Sequence, residues 1–363
     1  MNVALVYDRV NKWGGAERVL LALHKIWPDA PLYTAVYDPE KAEWAKVFRV
    51  HPSFLQSMPF AKTNHEFYPW LTPMAFSSFS FDGFDAVISV TSAEAKNIMT
   101  KPGTTHISYM LTPTRYLWSG EKDYRSQGIL GYGLRMMGST LKRWDVYAST
   151  RPDYYIAISE RVKERIETYY HQKVAQVVYP PVDEKWFAAS REKTEGYFLT
   201  VSRLVGYKRV DVLIRAFNRL KLPLVVVGQG WEKQKLHALA GETITFVDRH
   251  LTDEELLRYY ARCRAFVYAA DEDFGLAAAE AQAAGVPVVA YRQSGVSEIV
   301  KNGETGILFD AQTPKAVTDA VTAFSHKRFL PEACRAQAKR MSEQSFSDTM
   351  KHVVTKLVRK ERS

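Results

Sequence analysis

Cysteine is nearly missing from this chain: Cys263 and Cys334 are the two among 363 residues. Two thiols cannot build a disulfide framework or a cysteine metal cluster, and they read as reduced thiols of a cytosolic protein. No apolar run is long enough to span a bilayer. Internal repeats and low-complexity segments are absent, which excludes solenoids, propellers and fibrous arrays. The dinucleotide fingerprint G-x-G-x-x-G is absent too. No RNP, zinc-finger or helix-turn-helix pattern accompanies the formal charge of +9, so that charge is not read as nucleic-acid binding. The opening MNVALVYDRV lacks a basic leader and reaches Asp8 too soon for a secretory signal; it reads as a first strand.

What is present is ordinary globular material, 46% hydrophobic and 25% charged, with length for two domains. Short apolar runs alternate with amphipathic stretches from end to end: Asn2–Tyr7, Pro31–Tyr37, Val47–Val50, Ala86–Val90, His106–Tyr109, Tyr155–Ile158 and Ala175–Tyr179, then Tyr197–Val201, Leu224–Val227, Ile244–Val247, Ala265–Tyr268, Val288–Ala290 and Ile307–Phe309. Such alternation predicts an α/β protein with parallel sheets covered by helices on both faces. Pro180-Pro181 blocks both helix and inner strand and marks a domain boundary. Excess positive charge collects at the end, in Lys351, Lys356, Arg359, Lys360 and Arg362. Diphosphate ligands or an anionic membrane surface suit that charge. The aromatic-rich segment Phe54–Phe81 and the basic, apolar-flecked stretch Ser119–Ser149 each admit two readings. One is helix packing and a solvated hairpin; the other is a face for a lipid-linked acceptor or membrane.

The densest stretch is Ala269–Ala290, AADEDFGLAAAEAQAAGVPVVA. It predicts a loop, a helix from Gly275 to about Ala284, a Gly-Val-Pro stop and a buried strand. A helix N-terminus offers backbone N–H groups and a positive dipole end to a phosphate, here through Phe274, Gly275 and Leu276. A carboxylate accepts two hydrogen bonds at once, so Glu272 and Glu280 each suit a vicinal diol. Acidic residues also favour helix starts without any ligand, so the residues alone leave a structural turn open. Asp271-Glu272-Asp273 is the sole D-x-D, and its place at the head of this helix argues against a metal diphosphate there.

E-D-F-G-x-x-x-x-E followed by A-x-A-A-G-x-P-V-V-A resembles the E-x7-E signature of retaining GT-B glycosyltransferases of glycosyltransferase family 4. Three further stretches are similar to that family. Y-D-R…G-G-A-E-R-V-L carries Gly14 and Gly15 before a helix at Ala16–Ile26. Ser202–Arg209 supplies Arg203 and Lys208. Ser294-Gly295-Val296-Ser297-Glu298 looks like the family's G-G-x-x-E turn, with Ser294 in place of the first glycine. The resemblance implies two Rossmann-like domains facing a central cleft: an acceptor-side domain at 1–182, a nucleotide-sugar donor domain at 183–340, and a last helix at 341–363 packing back on the first. It also implies roles. Glu272, Arg203 and Lys208 are the catalytic candidates. Gly14, Gly15, Arg203, Lys208, Arg249, Glu272, Phe274, Gly275, Leu276 and Glu280 would bind the donor, with Glu272 on the sugar and Glu280 on the ribose. Arg115 and Tyr116 would stand on the acceptor side.

The similarity is closest to bacterial mannosyltransferases of polysaccharide assembly. The implied activity is a metal-independent, retaining hexosyl transfer from a nucleotide sugar, GDP-mannose first, to a saccharide or polyprenyl-linked acceptor. No further cofactor is implied, and the expected place is the cytoplasm, at the inner face of the membrane. One departure stands out. Relatives often carry a histidine where Met110–Trp118 has Leu111. That keeps a catalytically silent partner subunit open, and a nucleotide-sugar epimerase of the same fold is a further alternative.

Overall fold

β1 (Val3–Tyr7) is apolar along its length and every residue in it is buried, the mark of a strand covered on both faces. The computed structural model describes residues 1–62, 68, 70–121, 128–189, 191–192 and 194–362, with the backbone alone for 128–136 and 361–362. It separates into two units, Met1–Pro181 with Phe346–Ser363, and Val182–Ser345.

The first unit holds a seven-stranded sheet in the order β3-β2-β1-β4-β5-β6-β7. Its other strands are β2 (Leu32–Thr34), β3 (Val50–Pro52), β4 (Ala86–Thr91), β5 (Thr105–Met110), β6 (Tyr154–Ala157) and β7 (Val174–Val177). All pairings are parallel. Helices Gly15–Ile26, Leu71–Ser77, Gly128–Ala148 and Glu160–Tyr170 serve as crossovers, and most of the helix Glu343–Arg362 belongs to this unit. Ser159 starts the helix Glu160–Tyr170 by accepting the Val162 N–H at 3.0 Å.

The expected strand at Val47–Val50 is corrected. A 3-10 turn occupies Glu43–Val47, and pairing begins only at Val50. The reason is packing. Phe48 turns inward against His24 at 4.6 Å and Trp44 at 6.1 Å, and its N–H closes the turn on the Ala45 carbonyl. Pro52 then ends β3, which its edge position tolerates. In the aromatic-rich segment, Leu55, Ala61, Ala75, Phe76 and Phe81 join Ala4, Val6 and Val87 in one buried cluster. Phe54, Phe60 and Met74 are exposed. Residues 63–67 and 69, Phe67 included, lie outside the described residues, as does Arg125 of the basic stretch.

The second unit has a six-stranded parallel sheet in the order β10-β9-β8-β11-β12-β13. These strands are β8 (Phe198–Val201), β9 (Leu224–Val227), β10 (Ile244–Val247), β11 (Ala265–Tyr268), β12 (Val288–Tyr291) and β13 (Gly306–Phe309). The helix Val210–Leu220 shows how sequence dictates placement. Val210, Leu213, Ile214 and Phe217 share one face, and all four are buried with Phe198, Leu224 and Val267. Val182 is tethered to the end of the unit, donating its N–H to Met341 and accepting that of Glu343. Among the described residues no helix is long and apolar enough to cross a membrane.

Both sheets reverse direction of growth once. In the first unit this happens between β1 and β4, in the second between β8 and β11. At such a point the loops leaving two neighbouring strands run to opposite sides and open a crevice at the carboxyl ends, where open α/β sheets bind ligands.

Candidate active site

In the second unit the loops after β8 and β11 flank that reversal, and they carry Arg203, Lys208 and Glu272. Lys208 closes a short 3-10 turn, Gly206–Lys208, whose last N–H donates to the Val205 carbonyl. The Lys208 ammonium meets the Glu272 carboxylate directly and donates to the Tyr268 hydroxyl at 3.1 Å. The two charged side chains are only 10% and 15% exposed. The rings of Tyr207 and Tyr268 lie 5.1 and 5.7 Å from the ammonium. Arg203 is exposed and donates to the Tyr207 hydroxyl at 2.6 Å. Tyr207 therefore touches both cations, its ring facing one and its oxygen holding the other.

Burial works against a charge on Lys208. Tyr268, Glu272 and Tyr207 outweigh it, and the ammonium is held above its ordinary range. Burial, then the negative charge of Glu272, pushes the Tyr268 phenol up as well, so it stays protonated and neutral.

Glu272 is positioned through its backbone. Its N–H donates to Ser294 Oγ at 3.0 Å and its carbonyl accepts the Gly295 N–H at 2.8 Å. A Cβ on Gly295 would stand 2.3 Å from the Asp273 carbonyl oxygen, so the close approach of these two loops requires glycine. Gly275 precedes the helix Leu276–Ala283 with φ 98°, a left-handed value that favours glycine. The expected helix thus starts one residue later, with Gly275 as its cap. Its first N–H groups, Leu276 and Ala277, have no intrahelical acceptor by construction. Phe274 is buried, and Glu280 is buried within the helix.

The loop after β8 is held from the other side. Gly228 and Gly230 leave β9 against it, and a Cβ at either position would fall 1.9 or 2.2 Å from the carbonyl oxygens of Ser202 or Leu204. Leu204 donates its N–H to the Gln229 carbonyl at 2.8 Å. Arg249 is exposed and makes a bidentate pair with Glu255, at 2.6 and 3.0 Å, on the helix Asp253–Arg262. The pair holds the Glu255 carboxyl at about 2. Arg203, Lys208 and Glu272 are therefore joined through Tyr207 and one direct ion pair, with Gly275 three residues beyond Glu272, whereas Arg249 pairs with Glu255. Tyr207, in the 3-10 turn, and Tyr268, at the end of β11, were not anticipated; nothing local in the sequence sets either tyrosine apart from an ordinary packing residue.

In the first unit the reversal between β1 and β4 is occupied by protein groups. The Asp8 carboxylate accepts Thr91 Oγ1 at 2.8 Å, the Ser92 N–H at 2.7 Å and the Ala95 N–H at 2.8 Å. The segment after β4 forms a 3-10 turn, Ala95–Asn97, and Asp8, just past β1, accepts the N–H at its start. Gly14 and Gly15 begin the helix Gly15–Ile26. Glu17 tucks beneath them, buried, and accepts the Tyr7 hydroxyl at 2.7 Å; burial pushes its carboxyl up. A Cβ on Gly14 would crowd that carboxylate at 3.1 Å.

Arg115 and Tyr116 lie beyond β5 in the same unit. The Tyr116 hydroxyl donates to Glu94 at 2.8 Å, and Arg9 reaches the other oxygen of Glu94 at 2.8 Å. Leu111 is half-buried and donates its N–H to the Thr91 carbonyl. Under this segment sits a buried network. Asp145 accepts from Lys96 at 2.6 Å, from Thr114 Oγ1 at 2.6 Å, from Trp118 Nε1 at 2.7 Å and from the Tyr170 hydroxyl at 2.7 Å. Among the described residues no group of three or more His, Cys, Asp or Glu side chains is placed to hold a metal ion.

Residues 182–341 match the model of the family described as Glycosyl transferases group 1. An uncharacterized glycosyltransferase of Methanocaldococcus jannaschii is 25% identical over 202 residues, which cover 54% of this chain and 56% of that protein. A GDP-mannose-dependent alpha-mannosyltransferase of Corynebacterium glutamicum is 33% identical over 128 residues, covering 35% of this chain and 30% of that protein. The chain thus spans about half, or less, of the length of the curated relatives it matches. Among solved structures, the Anabaena protein HepE in complex with UDP and glucose superposes with a TM-score of 0.73 at 16% identity, over 98% of this chain and 99% of that one. Two α/β units with parallel sheets are the fold of GT-B glycosyltransferases.

Proposed function

We propose that the chain is a glycosyltransferase that moves a hexose from a nucleotide diphosphate sugar to a saccharide or lipid-linked saccharide. One observation carries the reading: at the β8/β11 reversal Lys208 meets Glu272, three residues ahead of the helix cap Gly275, and Tyr207 links Lys208 to Arg203. Two cations and a helix N-terminus suit a diphosphate, and a carboxylate beside them suits sugar hydroxyls. GDP-mannose is the first donor we assign, since the Corynebacterium relative is named for it. The UDP complex of HepE supports a nucleotide sugar as the donor class.

The reaction would break the bond between the sugar C1 and the diphosphate oxygen and form a bond from C1 to the acceptor hydroxyl. Negative charge grows on the leaving diphosphate, where Arg203 and Lys208 stabilise it more in the transition state than in the bound donor. The acceptor proton passes to the departing phosphate oxygen, so no protein base is required and the anomeric configuration is retained. In this reading Glu272 holds the sugar, Glu280 the ribose, and the Phe274–Leu276 backbone the phosphates. Gly14, Gly15 and Arg249 belong to the same donor assignment, with Arg115 and Tyr116 assigned to the acceptor. The reading involves no metal. The basic helix Glu343–Arg362 favours work at an anionic membrane surface on the cytoplasmic side.

Thermal stabilisation by GDP, UDP, ADP and their sugars tests the donor class, because a ligand of the folded state raises stability by mass action. A shift with GDP-mannose, followed by transfer of labelled mannose to extracted lipid-linked saccharide, is the expected result. A shift confined to UDP species would overturn the donor. No shift with any nucleotide would overturn the activity and favour the silent-partner reading that Leu111 raises.

A further inference from the structure

We infer that the contact between Lys208 and Glu272 is a resting latch, which the donor diphosphate opens and the donor sugar makes good. This rests on the donor reading above and adds to it a rule for telling donor from product.

Both groups stand at the strand-end reversal, and their main chains are restrained separately. Glu272 is tied by its N–H to Ser294 and by its carbonyl to Gly295. Lys208 closes its own 3-10 turn. The carboxylate and ammonium can therefore part by side-chain rotation without moving either loop. In the resting state the charges of Lys208 and Glu272 offset each other, and the exposed Arg203 beside them is a cation open to an arriving anion. Lys208 does not drift once released, because the Tyr268 hydroxyl still accepts from it and the rings of Tyr207 and Tyr268 still flank it.

The two ligands of a transfer cycle then differ in what they return to the site. A diphosphate oxygen that takes over Lys208 leaves Glu272 without its ammonium partner. A nucleoside diphosphate offers nothing in exchange, and parting a largely buried ion pair is costly. A nucleotide sugar brings a pair of hydroxyls, the donors a carboxylate accepts. The latch therefore weakens product relative to donor and speeds product release, with no moving lid.

Calorimetric titration of the full chain with GDP, UDP, GDP-mannose and UDP-glucose tests this, in wild type and Glu272→Gln. In wild type the sugar nucleotide binds about tenfold more tightly than its nucleoside diphosphate. Glu272→Gln removes the charge on the latch, so the nucleoside diphosphate binds about tenfold more tightly and the preference for the sugar form falls to about one. Glu272→Asp, one methylene shorter, moves both numbers in the same direction by less, and serves if the glutamine variant does not fold. If wild type binds and neither variant tightens nucleoside diphosphate binding, the latch is wrong and the donor reading stands. If wild type binds none of the four ligands, both fall.

Discussion

Ser294 Oγ accepts the Glu272 backbone N–H at 3.0 Å, so the turn after β12 fixes the carboxylate that leaves β11. A glycine is common at the position of Ser294 in the family this segment resembles, and glycine has no such acceptor. Ser294→Ala removes this hydrogen bond, worth about 1 kcal/mol, together with the longer one that Ser294 Oγ accepts from the Val296 N–H at 3.4 Å. The expected result is a roughly fivefold loss of kcat/KM for the donor, carried by looser positioning rather than by lost charge. Steady-state kinetics with the donor as the varied substrate check it.

Lys208→Ala removes a charge aimed at the leaving group. Turnover should fall by about 100-fold or more, as when a preorganised transition-state stabiliser is deleted. Single-turnover measurement at saturating donor separates this from weaker binding. Near-normal turnover would defeat the assignment.

Gly230→Ala places a Cβ about where the Leu204 carbonyl oxygen stands, 2.2 Å away. The loop after β8 must give way, carrying Arg203 with it. The variant should lose donor affinity by about tenfold or more and melt at a lower temperature. Alanine at Gly241, whose Cβ would meet a side-chain oxygen of Asn218 at 2.9 Å and not backbone, is the milder comparison.

Lys96 and Asp145 form a buried ion pair whose remaining valences are filled by Thr114, Trp118, Tyr170 and the Ala93 carbonyl. Burial opposes the charge on Lys96, and Asp145 outweighs it and holds the ammonium above its ordinary range. Asp145→Leu alone leaves a buried ammonium and should cost about 3–5 kcal/mol, while adding Lys96→Met should restore much of that loss. Urea unfolding of the two singles and the double reads the coupling.

His106 is fully buried beside Ser89, and burial with the nearby Arg151 charge lowers its pKa to about 3 from 6.5. A lowered histidine means that the unfolded chain binds a proton the folded chain refuses. Stability from this group is therefore complete above about 6.5 and drains as pH falls toward 3, by up to about 1.4 kcal/mol per pH unit. His106→Asn should be less stable than wild type at pH 7.5, with the gap closing by pH 5. A gap that stays constant across this range would show that His106 protonates freely in the folded protein.

Periodicity and local chemistry carried the strand order along the chain, the double-proline break and the helix behind Glu272, because each depends on neighbours within a turn or a strand. Arg203, Lys208 and Glu272 were legible as members of two short motifs. Their meeting was not: Lys208 and Glu272 are 64 residues apart, and only the pairing of β8 with β11 makes their loops adjacent. Tyr268 joined the site for that reason too, and Asp8 reached Thr91 because β1 pairs with β4. The strand expected at Val47–Val50 failed where packing of Phe48 on His24 overrode a four-residue run with three apolar side chains. Local patterns report which faces of an element are apolar. Which elements become neighbours is decided by burying all those faces at once, and that is where the acid, the cations and the tyrosines came together.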